Sequence, residues 1–572
     1  MTPTHSAPDQ GAGIQTAHFR AAMSALAAAG VSELVVSPGS RSTPIVAAAV
    51  ASGIRCRAVI DERSAAHFAL GRARATGRPQ AVLCTSGSAA ACYAPAVVEA
   101  RAARLPLIVI TADRPPELQG CEAPQTIDQV RLYGEHARYF DLGAPAPTSA
   151  AARVMTQAVH AALSPVPGPV QINAPARKPL EPVEPPADAA VPRLTTVHAP
   201  APAPASEAAI DALAAAANGA RGVITAGPAP LRAAAWRDAV ATLSVATGFP
   251  VLAEATSQLR LRRDAPPMLG AFDLIYEAGA DAPELVIQVG APPVSAAWSA
   301  LLSRARPRRI VVTEHGWPDP HNDAEAIVVG EIAGTLARAA ARIATRAPTD
   351  FADHLTGADD RAWRAVEAVL SSSDGLGEGQ AVRAAVAAVP AGSLLALANS
   401  LPVRSIDTYC PPVTTEAGVL HQRGASGIDG AISAAAGAAS CGDRPVALLV
   451  GDVGFAHDAT GLLAARHARA PLVVVVIDNG GGRIFERLPV AATPALAAQF
   501  ESLWLTPPQI DIAGLARSMG SAAVAVDTAT ALSTAVGEAA ARPGCTVIRA
   551  RVEPGSAETT RRQLIATLRS WQ

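Results

Sequence analysis

Short apolar runs of strand length alternate with Ala-rich stretches along the whole chain. In the first third these runs read ELVVSPG, RAVIDE, AVLCTSG, LIVITAD and PVQINAP. Runs of this length separated by helical stretches are typical of buried parallel strands that are connected by covering helices. The pattern therefore predicts an α/β fold built from doubly wound parallel sheets.

Two interruptions of this alternation predict three domains. Residues 177–205 are rich in Pro, as expected of an extended linker. A second set of apolar runs (GVITAGP, PVLAEAT, LVIQVGAPP, RIVVTEHG) ends in polar sequence near residue 350, and a third set follows (SLLALANS, VALLVGDVG, PLVVVVIDN, CTVIRARV). Because single cores stop growing near about 250–300 residues, we expect domains at residues 1–185, 186–350 and 351–572.

Composition narrows the possible functions. The 47 basic and 49 acidic residues give a net charge of −2, so there is no broad positive field to attract nucleic acid. The longest apolar run, residues 471–477, falls far short of the roughly 20 residues that cross a bilayer. Seven cysteines without a CxxC pair are typical of reduced thiols. We expect a cytoplasmic protein that binds neither nucleic acid nor membrane.

Polar side chains follow two successive strands of the third domain. Asp452 ends one apolar run, and Asn479 ends the next and is followed by three glycines that let a ligand approach the backbone. Ligands of open α/β sheets bind beyond the carboxyl ends of the strands, and carboxylate and amide oxygens suit Mg²⁺. A tight turn at residues 451–454 and a flexible loop at 480–482, both purely structural, remain the alternative at this point.

Eight separate stretches along the chain carry a family resemblance. They are SPGSRSTP (37–44), DERSAAHFALG (61–71), TSGSA (85–89), TADRPPEL (111–118), APQTIDQ (123–129), NSLPVR (399–404), RGASGIDG (423–430) and DNGGGRIFERLP (478–489). In this order they resemble one branch of the thiamine diphosphate enzymes, the 2-succinyl-5-enolpyruvyl-6-hydroxy-3-cyclohexene-1-carboxylate (SEPHCHC) synthases of menaquinone biosynthesis. Val453 stands where the general diphosphate motif commonly has a second Gly, but this branch tolerates an apolar residue there.

This resemblance implies a thiamine diphosphate-binding fold with an N-terminal pyrimidine-binding domain, a central domain and a C-terminal diphosphate-binding domain. It implies thiamine diphosphate and Mg²⁺, or Mn²⁺, as cofactors. Asp452, Asn479 and the Gly481 carbonyl would be the metal ligands, and Ile428 the apolar wedge that holds the cofactor bent. The implied cofactor-binding residues are Glu62, Ser86, Gly87, Ile428, Asp452, Val453, Asn479, Gly481 and Ile484.

Glu62 lies in the stretch AVIDERSAAHFALG, where an apolar run meets a helical one. An acidic residue at this place also suits the positive N-terminal end of a helix. The resemblance instead implies that Glu62 is catalytic through a hydrogen bond to a ring nitrogen of the cofactor, with a pKa raised by an apolar pocket. It further implies active sites between subunits, so that Glu62 meets the Asp452 loop of a partner in a homodimer or a dimer of dimers.

The substrates implied by the resemblance are 2-oxoglutarate and isochorismate. The reaction would decarboxylate the first and add the resulting succinyl carbanion to the second. Both are dianions, and the planar Arg fork binds carboxylates through two parallel hydrogen bonds. Helix caps, ion pairs and core packing are the alternative roles of these side chains. The implied substrate-binding residues are Ser40, Arg41, Arg114, Gln125, Ser400, Arg404, Arg423, Arg483, Phe485 and Leu488.

One stretch departs from the family pattern. The family commonly has a Lys, or a Lys-Arg pair, after the run LVIQVG, and this chain has Ala296 and Ala297 in those positions. Arg304 or Arg306 could replace the missing charge. We favour Arg483 because it adjoins the glycine loop.

Two other functions remain to be weighed against the synthase. The chain could be another thiamine diphosphate-dependent decarboxylase or carboligase, such as an acetohydroxyacid synthase relative that accepts pyruvate. It could also be a catalytically silent cofactor-binding protein, since the basic pair is missing. A P-loop phosphotransferase is disfavoured because the chain contains no GxxxxGK[ST] motif.

Overall fold

The computed structural model describes residues 7–145, 148–186, 193–262, 268–372, 375–412 and 414–571. Within these residues the strands form three six-stranded sheets in which all pairs are parallel. The strands are β1 (Glu33–Val36), β2 (Arg55–Ala58), β3 (Gln80–Cys84), β4 (Leu107–Asp113), β5 (Arg138–Asp141), β6 (Val170–Pro175), β7 (Gly222–Ala226), β8 (Val251–Ala253), β9 (Met268–Leu269), β10 (Leu285–Val289), β11 (Arg308–Thr313), β12 (Ala326–Val329), β13 (Ser393–Leu397), β14 (Ala417–His421), β15 (Val446–Gly451), β16 (Leu472–Asp478), β17 (Ala522–Val526) and β18 (Cys545–Arg551).

Helices connect the strands and cover the sheets, as parallel pairing requires. Most begin just after a strand end, which leaves their N-termini at the carboxyl edge of a sheet. The helices are α1 (Ala7–Ala28), α2 (Thr43–Ala51), α3 (Glu62–Thr76), α4 (Ser88–Ala91), α5 (Ala94–Ala103), α6 (Thr148–Leu163), α7 (Glu207–Ala217), α8 (Arg237–Thr247), α9 (Phe272–Ala278), α10 (Ala296–Ala305), α11 (Ile332–Ala340), α12 (Asp350–Ser371), α13 (Glu378–Ala387), α14 (Pro402–Tyr409), α15 (Ala431–Ala439), α16 (Asp452–His457), α17 (Gly461–Ala464), α18 (Ile512–Ser518), α19 (Ala529–Ala540) and α20 (Ser556–Ser570).

The first and third sheets have the same strand order, and the second sheet has a different one. The order is β2-β1-β3-β4-β6-β5 in the first sheet, β12-β11-β10-β7-β8-β9 in the second and β14-β13-β15-β16-β18-β17 in the third. Central strands such as β3, β4 and β10 are buried along their whole length. Burial on both faces explains their continuous apolar sequences. The predicted α/β class with three doubly wound parallel sheets is therefore confirmed.

The described chain divides into two compact units, which do not coincide with the three predicted domains. The first unit comprises the described residues of 1–199, 422–443 and 457–470, and the second comprises those of 200–421, 444–456 and 471–572. The predicted boundaries at residues 185 and 350 stay a prediction. Residues 176–186 and 193–205 form no helix or strand, as expected of a linker.

Close packing of α3 on α15 occurs inside the first unit. Gly71 faces the backbone of Ala434, and Gly437 faces the backbone of Phe68, so closely that a Cβ on either glycine would overlap a carbonyl oxygen. The Ala-rich sequence of α15 permits this approach because small side chains leave the two backbones in contact. The helix that begins at Glu62 is thereby fixed against the segment that follows residue 430.

We expect Gly437→Ala to lower the free energy of unfolding by about 1–3 kcal/mol, the usual cost of overpacking a filled site. A urea titration followed by circular dichroism measures this change. The matched control is Gly537→Ala in α19, where a Cβ would meet nothing within 4 Å. That change should stabilise the chain slightly, since Ala is the better helix former. Equal effects of the two changes would contradict the close α3–α15 contact.

No helix in the described part of the chain is both long enough and apolar enough to span a membrane.

Candidate active site

Asp452 and Asn479 follow two neighbouring strands of the third sheet. Strands β15 and β16 pair in parallel with Gly451 opposite Ile477, so both side chains leave the sheet at the same edge. Asp452 is 1% exposed and Asn479 is 6% exposed. The predicted pair of hard oxygen donors is therefore brought to one buried edge of the second unit.

The Asp452 carboxylate is held by backbone N–H groups. Its Oδ1 accepts a hydrogen bond from the Val453 N–H (2.8 Å), and its Oδ2 accepts one from the Gly481 N–H (2.7 Å). Burial raises the pKa of Asp452, while these backbone bonds act in the opposite direction. The two carboxylate oxygens together have about four lone-pair positions, so the carboxylate can still accept a further partner.

The Asn479 amide is held by a hydrogen bond to the carboxylate of Glu378. Its Nδ2 donates to Oε2 of Glu378 at 3.0 Å. Its Oδ1 is buried and has no hydrogen-bond partner in the described part of the chain. A buried acceptor without a hydrogen-bond partner is uncommon, and an amide oxygen of this kind can bind a cation. The donor set of Asp452 and Asn479 therefore fits Mg²⁺.

With only Asp452 and Asn479 as side-chain ligands, a metal ion here would complete its coordination with oxygens of water or of a bound ligand. No group of three or more His, Cys, Asp and Glu residues that could hold a metal occurs among the described residues. A site of one carboxylate and one amide suits Mg²⁺, which keeps several waters or phosphate oxygens. It does not suit a structural zinc site, which is closed by four protein ligands.

The glycine loop after Asn479 needs glycine. Gly480 and Gly481 have φ of +77° and +114°, values that side chains disfavour. A Cβ on Gly481 would also overlap the carbonyl oxygen of Leu505. That same carbonyl accepts a hydrogen bond from the Gly482 N–H at 2.6 Å. The loop is thus closed by residues 501–505, which form a single π-helical turn.

The predicted apolar wall lies in the short helix Arg483–Arg487 and just after it. Ile484 and Phe485 are half-buried, whereas Leu488 is 46% exposed. Arg483 donates from Nε to the Asn479 carbonyl oxygen (3.0 Å) and from Nη1 to Glu486 (2.7 Å). Its charge is therefore already paired, which weakens our expectation that Arg483 replaces the missing basic pair.

Ser400 and Arg404 follow β13, the strand next to β15. Ser400 has a φ of +72°, and its carbonyl oxygen accepts a hydrogen bond from Arg404 Nη1 at 2.7 Å. Since β13, β15 and β16 are adjacent, Ser400, Asp452 and Asn479 follow three neighbouring strand ends. Two of the eight predicted stretches and Asp452 thus converge on one edge of the third sheet.

Glu62 is the first residue of α3, directly after the capping residue Asp61. Asp61 Oδ1 accepts from the N–H groups of Arg63 (2.9 Å) and Ser64 (3.3 Å), and Oδ2 accepts from the Thr460 hydroxyl (2.6 Å). Burial alone would raise the pKa of Asp61, but these bonds lower it. Half-buried Glu62 makes no hydrogen bond or ion pair with any described residue. The helix cap therefore does not require Glu62.

Three predicted loops of the first unit, SPGSRSTP, TSGSA and APQTIDQ, contact one another. A Cβ on Gly39 would overlap the Thr85 side chain, so the SPGS and TSGSA loops touch. The Ser86 hydroxyl donates to the Gln125 carbonyl oxygen (2.9 Å), and Gln125 Nε2 returns a bond to the Ser86 carbonyl oxygen (3.1 Å). Gly87, with φ of +90°, donates its N–H to Gln129. The structure thus joins three of these predicted stretches.

Arg41 and Arg114 each have a guanidinium N–H group that forms no hydrogen bond in the described residues. Arg41 is 3% exposed and donates from Nη1 to the Ala176 carbonyl oxygen at 2.6 Å. Arg114 donates from Nη2 to the Pro124 carbonyl oxygen at 2.9 Å. The Nε of each Arg is buried without a hydrogen-bond partner in the described residues. Both side chains therefore retain a donor for a ligand carboxylate.

Two carboxylates hold the segment that carries Arg423 and Ile428. Glu99 in α5 accepts the N–H groups of Gly424 (3.1 Å) and Ala425 (2.6 Å) and pairs with Arg74. Asp429 pairs with the fully buried His67 at 3.0 Å, and this contact lowers the pKa of Asp429 to about 2. Both anchors belong to the first unit, in which α3 and α15 pack together.

The N-terminus of α10, where the basic pair is missing, is occupied by carboxylates. Glu254 accepts the N–H groups of Val294 and Ser295, and Asp273 accepts the Ser295 hydroxyl and the Ala297 N–H. Arg304 and Arg306 lie at the opposite end of the helix, roughly 15 Å away by the rise of ten residues. This distance weakens the expectation that either arginine replaces the missing pair.

Sequence reasoning missed the supporting residues Glu378, Glu99 and His67. Glu378 lies 101 residues from Asn479, and Glu99 lies more than 300 residues from Gly424. No local pattern signals such contacts. Only His67 lay in a stretch already singled out, DERSAAHFALG, where a buried His among alanines could have drawn notice.

Two protein-family models match the chain. One, described as the N-terminal TPP binding domain of thiamine pyrophosphate enzymes, matches residues 18–132. The other, described as the C-terminal TPP binding domain of these enzymes, matches residues 408–550. Glu62 lies in the first match, and Asp452 and Asn479 lie in the second.

Curated relatives match over nearly the whole chain. A 2-succinyl-5-enolpyruvyl-6-hydroxy-3-cyclohexene-1-carboxylate synthase of Sorangium cellulosum is 46% identical, with 96% of this chain and 95% of that protein covered. The protein of the same name from Halobacterium salinarum is 38% identical, with 95% and 97% covered. Among solved structures, benzoylformate decarboxylase from Polynucleobacter necessarius has a TM-score of 0.72 at 18% identity, over 94% of this chain and 98% of that one. This last likeness supports the fold alone.

Proposed function

The chain belongs to the family of SEPHCHC synthases and is a thiamine diphosphate-dependent enzyme, and on that premise we propose that it joins 2-oxoglutarate to isochorismate. CO₂ is released from 2-oxoglutarate, and the remaining succinyl unit is added to isochorismate to give SEPHCHC in menaquinone biosynthesis. The single observation that carries the site assignment is the unpartnered, buried Oδ1 of Asn479 beside the backbone-held carboxylate of Asp452.

Asp452, Asn479 and the Gly481 carbonyl hold Mg²⁺, or Mn²⁺, in this proposal. The metal would bind the diphosphate of the cofactor, and Val453 and Ile484 would line that region. Ser86, Gly87 and Ile428 would contact the rest of the cofactor. When bound, thiamine diphosphate supplies the carbon nucleophile and accepts the electron pair that CO₂ leaves behind.

Glu62 would share a proton with a ring nitrogen of the cofactor aminopyrimidine. Its carboxylate suits this role because Asp61 already caps α3 and Glu62 forms no hydrogen bond or ion pair within the described chain. We propose that two copies form the smallest active unit, as a homodimer or a dimer of dimers. Glu62 of one copy would then act with the Asp452 loop of the other.

Four arginines would bind the substrate carboxylates. They are Arg41, Arg114, Arg404 and Arg423, and the polar side chains of Ser40, Gln125 and Ser400 would support them. The free Nε atoms of Arg41 and Arg114 favour this role. Ile484, Phe485 and Leu488 would form an apolar wall for the isochorismate ring. Arg483 is paired with Glu486, so its part would be to position the glycine loop.

We expect Arg114→Lys to lower kcat/KM for one of the two substrates by roughly 10- to 100-fold, because hydrogen bonds to a charged group contribute about 1.5–3 kcal/mol. Lysine keeps the charge and loses the planar fork. The control is Arg177→Lys, which alters an exposed pair with Glu117 and should leave kcat/KM unchanged. Unchanged kinetics for both substrates in Arg114→Lys would contradict the carboxylate assignment.

The function itself is tested with purified protein, thiamine diphosphate, Mg²⁺, 2-oxoglutarate and isochorismate. The expected result is loss of isochorismate together with a product of the mass of SEPHCHC. Turnover of pyruvate alone would favour another decarboxylase or carboligase. Cofactor binding without any turnover would overturn the synthase proposal and indicate a catalytically silent protein.

A further inference from the structure

Glu378 is a buried carboxylate that lies directly behind the Asn479 amide. It is the first residue of α13 and is 2% exposed. Its Oε2 accepts a hydrogen bond from Asn479 Nδ2 (3.0 Å), and its Oε1 accepts one from the Ser405 hydroxyl (2.9 Å). Both oxygens therefore receive hydrogen bonds from neutral groups, and neither forms an ion pair in the described chain.

Glutamine has the same shape as Glu378, is neutral and could also form hydrogen bonds to Asn479 and Ser405. Glutamine at this position would offer one acceptor and one donor, and the Ser405 hydroxyl can play either role. Burial raises the pKa of Glu378 although the positive charge of Arg487 acts in the opposite direction, so keeping a charge here without a direct ion pair costs free energy that glutamine would avoid. The property that distinguishes the carboxylate is that both of its oxygens accept and neither donates.

That property determines how the Asn479 amide is oriented. Only an amide NH₂ can bond to an ionised carboxylate, so Nδ2 must point toward Glu378 and Oδ1 must point away from it. The structure shows this outcome, since Oδ1 is the buried atom without a partner. Oδ1 is the only atom of the Asn479 side chain that can bind a cation.

We propose that Glu378 is a positioning residue, which holds the Asn479 amide with its oxygen toward the metal and places a second negative charge behind the site. This inference rests on the proposed function, because it requires a divalent cation at Asp452 and Asn479. The cation would face the charges of both Asp452 and Glu378, which explains why an ionic group is kept in this buried place.

The same carboxylate also joins two parts of the site. Ser405 follows Arg404 in α14, and Asn479 directly follows β16. Glu378 therefore connects the strand end that carries the metal ligand with the helix that carries one of the proposed substrate arginines. A change at Glu378 should disturb the metal site first, because its bond to Asn479 involves the ligand itself.

The test is Mn²⁺ binding to the full-length protein with thiamine diphosphate, measured by the electron paramagnetic resonance signal of free Mn²⁺. In Glu378→Gln the new amide can donate to Asn479, so the Asn479 amide can rotate and present its NH₂ to the cation. We expect the dissociation constant for Mn²⁺ to rise about 10- to 100-fold, the usual effect of losing an outer partner of a metal ligand.

The matched control is Asp359→Asn. Asp359 is also buried and accepts hydrogen bonds from the Ala271 N–H and from Trp363 Nε1 at 2.8 Å. It is not part of the proposed metal site. Its replacement should lower the unfolding temperature and leave Mn²⁺ affinity unchanged. A purely structural role of Glu378 would give the same pattern in Glu378→Gln, so the two roles are separable.

A second variant keeps the proposal testable if Glu378→Gln alone folds poorly. In the double variant Glu378→Gln/Asn479→Asp the Gln amide donates to one Asp oxygen and leaves the other facing the cation. This exchange of donor and acceptor should restore Mn²⁺ affinity to within about tenfold of the original. Failure of this well-folded double variant to bind Mn²⁺ would overturn the inference.

Asn479→Ala separates failure of the inference from failure of the proposed site. If Asn479→Ala weakens Mn²⁺ binding and Glu378→Gln does not, the metal site stands and the positioning role is wrong. If the unchanged protein does not bind Mn²⁺, or binds it as well without Asn479, the proposed metal site and the inference both fail. In Asn479→Ala the further change Glu378→Gln should weaken Mn²⁺ binding less than it does in the unchanged protein, because only the loss of the Glu378 charge remains.

Discussion

Replacing Glu62 by Gln is expected to lower turnover by about 10²- to 10⁴-fold, the usual contribution of a positioned acid or base. Glutamine keeps the shape of the side chain but has no proton to share with the cofactor ring nitrogen. The capping bonds of α3 come from Asp61, so the change should not unfold the helix. The measurement is kcat with cofactor and both substrates saturating, together with the unfolding temperature.

Asp61→Asn is the matched control for Glu62→Gln. It removes the adjacent charge but keeps an oxygen that can accept the capping N–H groups, and Asn caps helices about as well as Asp. We expect turnover to change far less than in Glu62→Gln. A loss of less than about tenfold in Glu62→Gln would mean that Glu62 is not the activating group. Similar losses of turnover in Glu62→Gln and Asp61→Asn would mean that turnover depends on the negative charge at the start of α3 and not on Glu62 itself.

The central strands of each sheet were predictable from sequence, and five of the six edge strands were not. The apolar runs identified β3, β4, β10, β15 and β16, because strands that are buried on both faces show continuous apolar sequence. The strands without such a run were β5, β9, β12, β14 and β17, and all of them lie at sheet edges. Partial exposure removes the apolar signal in β5, which reads RYFD and has no buried residue.

The unit division was not predictable for a different reason. Residues 422–443 and 457–470 belong to the first unit although their neighbours in sequence belong to the second. Their contact with α3 is made by glycine and alanine backbones, such as those of Gly71 and Ala434. Small residues carry no positional signal in a chain this rich in alanine, so composition could not reveal the contact.

The candidate site was predictable where its residues follow strands. Asp452, Asn479 and Ser400 do so, and the topology of an open parallel sheet brings such residues to one edge. The supporting carboxylates Glu378 and Glu99 follow no such rule, because their partners are distant in sequence. Their role is defined by hydrogen-bond geometry, which sequence alone does not contain.

Asp452→Ala is expected to abolish the Mg²⁺-dependent part of thiamine diphosphate binding. Asp452 is the one carboxylate in the proposed ligand set, so its loss removes the strongest electrostatic attraction for the cation. Loss of an outer partner alone costs about 10- to 100-fold in metal affinity, so loss of the ligand should exceed this range. Calorimetric titration with the cofactor, with and without Mg²⁺, measures both affinities.

The control for Asp452→Ala must be another buried carboxylate held by neutral groups, since alanine also leaves the Val453 and Gly481 N–H groups without their acceptor. Asp458 meets this need, because it is fully buried and accepts bonds from the Ser433 N–H (2.8 Å) and hydroxyl (3.0 Å). Asp458→Ala should lower the unfolding temperature without altering the Mg²⁺ dependence. Cofactor affinity that keeps its full Mg²⁺ dependence in Asp452→Ala would contradict the metal assignment, because no other carboxylate belongs to the proposed ligand set.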